Sequence, residues 1–201
     1  MNDFACIKSE KLRRQLEFIV TCDELKNIFR RTVLTDASRR ENDAEHSWHL
    51  ALCAMVLEEY APAPLDMQKV LRMVTVHDLI EIYAGDTFAY DTAGNATKAE
   101  REAAAADKLF SALGEQGSEF RTLWEEFDAG QTPEAAFAAA MDRLQPLLHN
   151  YVTNGYTWKE GDVHASQVLT RNAPVKSAAP ALWEAVEAII NDSVKKGILN
   201  E

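Results

Sequence analysis

A chain of 201 residues with 47% apolar and 26% charged side chains has globular proportions, and only 8 Gly and 6 Pro argue against fibrous or low-complexity classes. Its formal net charge of −11 repels phosphate backbones and anionic lipid, so nucleic-acid polymers and membrane surfaces are poor partners, and a small anionic substrate would need a local cation to receive it. No apolar run nears the roughly 20 residues of a membrane span, the first residues lack a signal-peptide core, and three widely spaced cysteines read as reduced thiols, which together predict a cytoplasmic protein.

Ser9 is placed to cap a first helix whose Leu12, Leu16 and Ile19 recur at helical spacing. The capping-box pattern from Thr21 to Glu24 predicts a further helical turn through Leu25, Ile28 and Phe29. Residues 30–43 read as a polar loop where the acidic chain concentrates arginine: Arg30, Arg31, Arg39 and Arg40. Asn42 and Glu45 form a second capping box, opening a helix with His46, Trp48, Leu50, Cys53 and Val56 that the Pro-rich stretch 61–64 breaks. Asp66 caps the next helix, apolar nearly all round through Val70, Leu71, Met73, Val74 and Val76, which is the pattern of a buried element. It runs into His77, Asp78 and Glu81 before Gly85, and residues 86–96, rich in turn formers, read as a loop. Helices follow from Thr97 to about Leu113 and from Ser118 through Phe127. Thr132-Pro133-Glu134 starts another, whose pattern continues past Pro146 to Tyr151. Residues 154–177 read as irregular, and a last helix runs from about Pro180 to a C-cap at Gly197. With no alternating apolar/polar run, repeat or linker, the prediction is all-α: a single globular helical bundle over residues 1–201.

His77 and Asp78 are adjacent on an apolar helix, where neighbours diverge by about 100° unless they lie at a helix end. Burying an imidazole with a carboxylate is costly unless the two are paired or share a cation. Glu81 shares their face, Asp86 follows just past Gly85, His46 lies in the first turn of its helix, and Asp142 is an acid inside the apolar stretch 135–148. Two imidazoles and two carboxylates would suit Mn, Fe, Co, Ni, Zn or Mg, although apolar context alone links His46 and Asp142 to the central pair.

The ordered set His46, His77-Asp78 and Asp142 sits within Glu45-His46-Ser47, the run from Val76 through Leu79, Ile80 and Glu81, Ala84-Gly85-Asp86 and Met141-Asp142. It resembles the HD-domain superfamily of metal-dependent phosphohydrolases and, within it, the HD-type 5′-deoxynucleotidases, over roughly residues 25–152, with a helical extension beyond. The resemblance implies one divalent metal ion (Mn, Co, Fe, Ni, Zn or Mg) on His46, His77, Asp78 and Asp142, with Glu81 and Asp86 handling protons. It also implies an arginine, at Arg31 or the adjacent Arg30, holding the phosphate of a small phosphorylated substrate, and a homodimer. Thr32 stands where the bacterial enzyme carries a tryptophan that helps tell deoxyribose from ribose, which leaves the sugar open. Release of orthophosphate from a (deoxy)nucleoside 5′-monophosphate is the leading expectation. A phosphodiesterase or alarmone hydrolase on the same scaffold, or a non-catalytic metal-stabilised binding module, stands beside it.

Plainer roles suit other residues. His49 reads as an exposed or packing residue, His149 and His164 as structural, Cys53 as core and Arg39-Arg40 as a solvated pair. Glu81 could orient a ligand instead of moving protons, and Asp86 could simply cap a turn.

Overall fold

The computed structural model describes residues 4–201. In chain order its elements are α1 (Glu10–Cys22), the strands β1 (Phe29–Val33) and β2 (Arg40–Asn42), then α2 (Asp43–Leu57), α3 (Met67–Val76), α4 (Glu81–Ala84), α5 (Thr92–Asn95), α6 (Lys98–Ser111) and α7 (Gly117–Ala129). They continue with α8 (Pro133–Val152), α9 (Tyr156–Glu160), α10 (Ala165–Asn172), α11 (Val175–Ala178) and α12 (Pro180–Lys195). The fold is all-α apart from the two-stranded antiparallel hairpin β1–β2. No helix among the described residues is long and apolar enough to cross a membrane.

Local chemistry starts the main helices. Ser9 Oγ accepts the Leu12 N–H at the head of α1, and Asp66 accepts from Lys69 at the head of α3. Asn42 and Glu45 close a reciprocal box on α2, and Thr132 accepts from Ala135 with Pro133 at the first turn of α8. α8 passes through Pro146 without ending, and Asn150 Nδ2 donates to the Pro146 carbonyl one turn on.

Four expectations need correction. Residues 86–96 are not loop throughout: Asp91 accepts from the Ala93 and Gly94 N–H groups and caps the short helix α5. Residues 30–43 form the β1–β2 hairpin rather than a loop, and its irregular register lies between the Phe29–Asn42 and Val33–Arg40 pairs. Helix does not restart at Thr21: α1 runs to Cys22, tightens into a 3-10 segment over Asp23–Asn27, and gives way at Ile28, whose backbone is extended. Residues 154–177 are not irregular but fold as α9, α10 and α11, pieces too short for a periodicity signal and held by burial of Trp158, Val168 and Val175.

Two apolar clusters fill the interior. The larger gathers Leu50 of α2, Val70 and Met73 of α3, Phe137, Met141 and Leu144 of α8, Trp158, Val186 and Ile190. The smaller joins Phe18 and Leu25 to Ile80, Leu109 and Phe110. α3 passes from the first cluster towards the second, and at its end the hydrogen bonds shorten to the i→i+3 type, from Leu79 to Val76 and from Glu81 to Asp78. His77 and Asp78 occupy that tightened turn between the two cores.

Candidate metal centre

The helix end resolves the divergence of neighbours. His77 Nε2 and Asp78 Oδ1 face each other at 3.0 Å, both residues buried. His77 Nδ1 lies 2.9 Å from the Val74 carbonyl, which only accepts, so Nδ1 carries the proton and Nε2 presents a lone pair towards a carboxylate oxygen. Among the described residues, His77 Nε2 is a buried atom with no hydrogen-bond partner. Two acceptors held that close call for a cation.

α2 and α8 bring the other two predicted residues. His46 is fully buried; its Nε2 lies 3.1 Å from Asp142 Oδ1 and 4.0 Å from Asp78 Oδ2. One ligand atom each from His46, His77 and Asp78 falls within 4.8 Å of the others, and a second such group joins Asp43, Asp78 and Glu81. Asp142 reaches the first group through His46 and is tied from behind by Arg171 Nη2 at 3.3 Å. The donor set is two imidazole nitrogens and two carboxylates from three helix ends or faces, which fits a borderline divalent ion.

Strand alternation separates the two arginines. Arg30 points inward: its Nη1 is 2.9 Å from Asp78 Oδ2, 3.2 Å from Asp43 Oδ1 and 3.7 Å from Asp86 Oδ1, while Nη2 is 4.0 Å from Asp142 Oδ1. Arg31 points outward to Glu160 at 3.5 Å and over the Phe88 ring, at the pocket rim. Burial works against the charge of Arg30, but Asp78, Asp86, Glu81 and Asp43 outweigh it and keep the guanidinium firmly protonated.

The acids differ according to their surroundings. Burial raises Glu81 well above the ordinary glutamate range, with the negative charges of Asp78 and Asp43 adding to it, and its Oε2 has no hydrogen-bond partner. Burial, then repulsion from Asp78, lifts Asp43 to about 6. Asp86 is also raised, by burial against the pull of Arg30. Asp78 goes the other way: burial opposes its charge, but the guanidinium of Arg30, 2.9 Å from Oδ2, holds it ionised. The site therefore pairs ionised carboxylates at Asp78 and Asp142 with an acid that retains its proton at Glu81, while Asp43 changes state around pH 6.

A cavity of about 150 Å³ opens beside these groups, bordered by Phe88, Tyr90, Trp124, Phe127 and Trp158 as well as the acids. Arg171 and Trp158 come from the segment after residue 152, so the extension completes the pocket wall. Sequence reading missed Asp43, Glu41, Gln145 and Arg171. For Gln145 and His149 a signal was present: with Asp142 they form a polar row at i, i+3 and i+7 on an otherwise apolar helix.

The HD domain family profile matches residues 22–183. The protein named 5′-deoxynucleotidase HDDC2 in Dictyostelium discoideum is 29% identical over 143 residues, which are 68% of this chain and 75% of that one. Its human namesake is 28% identical over 138 residues, 68% of this chain and 66% of the relative. A crystal structure described as a "predicted metal-dependent phosphohydrolase" from Magnetospirillum magnetotacticum superposes with a TM-score of 0.92 at 44% identity, over 100% of both chains. The PH0347 protein of Pyrococcus horikoshii shares the fold, with a TM-score of 0.60 at 22% identity over 88% of this chain and 98% of that one.

Proposed function

The chain belongs to the HD domain family, and from that premise we propose that it is a divalent-metal-dependent phosphohydrolase releasing orthophosphate from a small phosphomonoester, of the (deoxy)nucleoside 5′-monophosphate class. The observation that carries this reading is the pair of facing acceptors, His77 Nε2 and Asp78 Oδ1, with His46 and Asp142 alongside and a buried guanidinium at the same point. The names of the relatives, 5′-deoxynucleotidase and metal-dependent phosphohydrolase, support the substrate class.

His46, His77, Asp78 and Asp142 would hold the ion. When bound, it supplies charge that polarises a phosphoryl oxygen and makes water more acidic. The chain's own groups do the rest. Arg30 donates to the non-bridging oxygens of the phosphate, and Arg31 at the rim offers a second guanidinium to an entering dianion. Asp86 takes the proton of the attacking water, and Glu81 gives one to the ester oxygen as the P–O bond breaks. Water and ester thus become alcohol and orthophosphate without net proton uptake. Phe88, Tyr90 and Trp158 supply the apolar wall against which a base or sugar packs.

The finer setting is also proposed: one domain over the whole chain, a cytoplasmic location in keeping with free Cys6, Cys22 and Cys53, and a homodimer. Exposed Trp48, Leu52, Met55 and Val56 support the dimer, since they share one face of α2.

A panel of phosphate esters, supplied in turn with Mn, Co, Ni, Mg or Zn and scored for orthophosphate, tests the reading. Monoester turnover is expected, and Asp78→Ala should lose both metal retention and phosphate release. Hydrolysis confined to diesters or pyrophosphates, or full activity in a metal-free Asp78→Ala protein, would overturn it.

A further inference from the structure

Behind His46, away from the pocket, lies a buried polar cluster that the reaction does not use. Gln145 of α8 is fully buried, and its side chain touches four groups. Its Nε2 lies 2.7 Å from Glu41 Oε1, 3.1 Å from His149 Nε2 and 3.2 Å from His49 Nδ1. Its Oε1 lies 3.1 Å from His46 Nδ1.

The partners fix which way the amide faces. Glu41 is an acceptor on β2, itself buried, and its second oxygen takes the Thr32 hydroxyl at 3.3 Å. His149 Nδ1 donates to the Val33 carbonyl at 3.0 Å, so its Nε2 is an acceptor as well. Turning the amide over would set Oε1 against a carboxylate and the His149 lone pair. Only the NH2 end can face them, one proton to each. Oε1 is thereby aimed at His46 Nδ1 and requires that atom to be N–H. With Nδ1–H turned to Oε1, Nε2 is the ring atom directed at Asp142 Oδ1, 3.1 Å away, and it becomes a ligand when an ion displaces the proton shared with that carboxylate.

We propose that Gln145 is a positioning residue of the metal centre: clamped by Glu41, its amide holds His46 as the Nδ1–H form, with Nε2 presented as a ligand. This rests on the metal-hydrolase reading above. His77 receives the same orientation from a backbone carbonyl, whereas His46 receives it from a side chain and can be altered by mutation. Outer hydrogen bonds of this kind are worth roughly 10–100-fold in metal affinity.

The test uses the full chain with Mn2+, titrated calorimetrically into metal-free wild type, Gln145→Met and Glu41→Gln, with far-UV circular dichroism to establish folding. Gln145→Met should bind Mn2+ about 10–100-fold more weakly. At saturating Mn2+ its KM for the ester should match wild type, because no group touching substrate has changed. Glu41→Gln should weaken Mn2+ in the same direction. In 15N-edited NMR of metal-free protein, the hydrogen-bonded His46 Nδ1–H should be protected from exchange in wild type and unprotected in Gln145→Met. A folded Gln145→Met with wild-type Mn2+ affinity and a protected Nδ1–H would overturn the proposal. If Gln145→Met does not fold, an unchanged Mn2+ affinity in Glu41→Gln overturns it instead. Wild type that binds no Mn2+ would refute the metal reading, and the Nδ1–H signal would still decide the role of Gln145.

Discussion

Arg30→Leu probes the electrostatics of the site most directly. The Arg30 side chain is 14% exposed, and its guanidinium lies within 4.0 Å of carboxylate oxygens on Asp43, Asp78, Asp86 and Asp142. An exposed ion pair is worth at most about 1 kcal/mol, but removing one partner of a buried pair costs about 3–5 kcal/mol because the other charge stays behind uncompensated. Protonation of the stranded acids softens the loss, so the low end, about 3 kcal/mol, applies at pH 8. For a chain of this length that is a fall in Tm of about 6–12 °C. The sign with pH follows from the raised acids. With Arg30 present, Asp43 already titrates at about 6, and without the arginine it and Asp86 rise further. A carboxyl raised by folding destabilises fully above its folded value, and that penalty shrinks as pH falls from the folded value towards the unfolded one. The Tm gap between variant and wild type should therefore narrow from pH 8 to pH 5.5. Mn2+ should close part of it at pH 8 by replacing the lost positive charge. Thermal melts followed by circular dichroism, with and without Mn2+, measure all three. A metal-free Arg30→Leu protein melting within about 2 °C of wild type at pH 8 would show that this guanidinium is not the counter-charge of the acids.

Other perturbations test the fold and its thiols. Gly155→Ala should lose about 2 kcal/mol or more in urea unfolding: Gly155 has φ +69° and its added Cβ would meet the Ile198 carbonyl oxygen at 1.9 Å, which the backbone must move to relieve. Asn42→Ala should cost about 1 kcal/mol by opening the capping box that starts α2, and the urea midpoint reads it. A thiol reagent at pH 8 should label exposed Cys6 first; burial lifts Cys22 to about 11, so its labelling should accelerate sharply as pH approaches that value, while buried Cys53 stays slow.

What the sequence made legible was local. Ser9, Asn42, Asp66 and Thr132 each bond to the backbone N–H three residues on, so identity and spacing suffice to place them. The expected neighbourhood of His77 and Asp78 at a helix end was legible for the same reason. The hairpin was hidden because its inward residues, Arg30 and Thr32, face polar partners instead of a core, so no apolar alternation marks it. Reading residues 30–43 as a loop also removed the alternation that separates Arg30 from Arg31. The short helices after residue 152 owe their shape to packing on α8 and α12, which no window of sequence contains. Gln145 carries no charge and announces nothing by type; only its row with Asp142 and His149 points to it.

Because Arg30 and Arg31 face opposite ways on β1, the hairpin constrains how this chain can change length over evolution. Residues 35–38 lie between the strands, so the tip can gain or lose residues while the paired segments stay in step. A single insertion just before Arg30 is different: it would exchange the two guanidinium groups, leaving the acids without their counter-ion and a stray charge above them. Descendants of this sequence should therefore vary at the hairpin tip and alter β1 only where the parity of its residues survives.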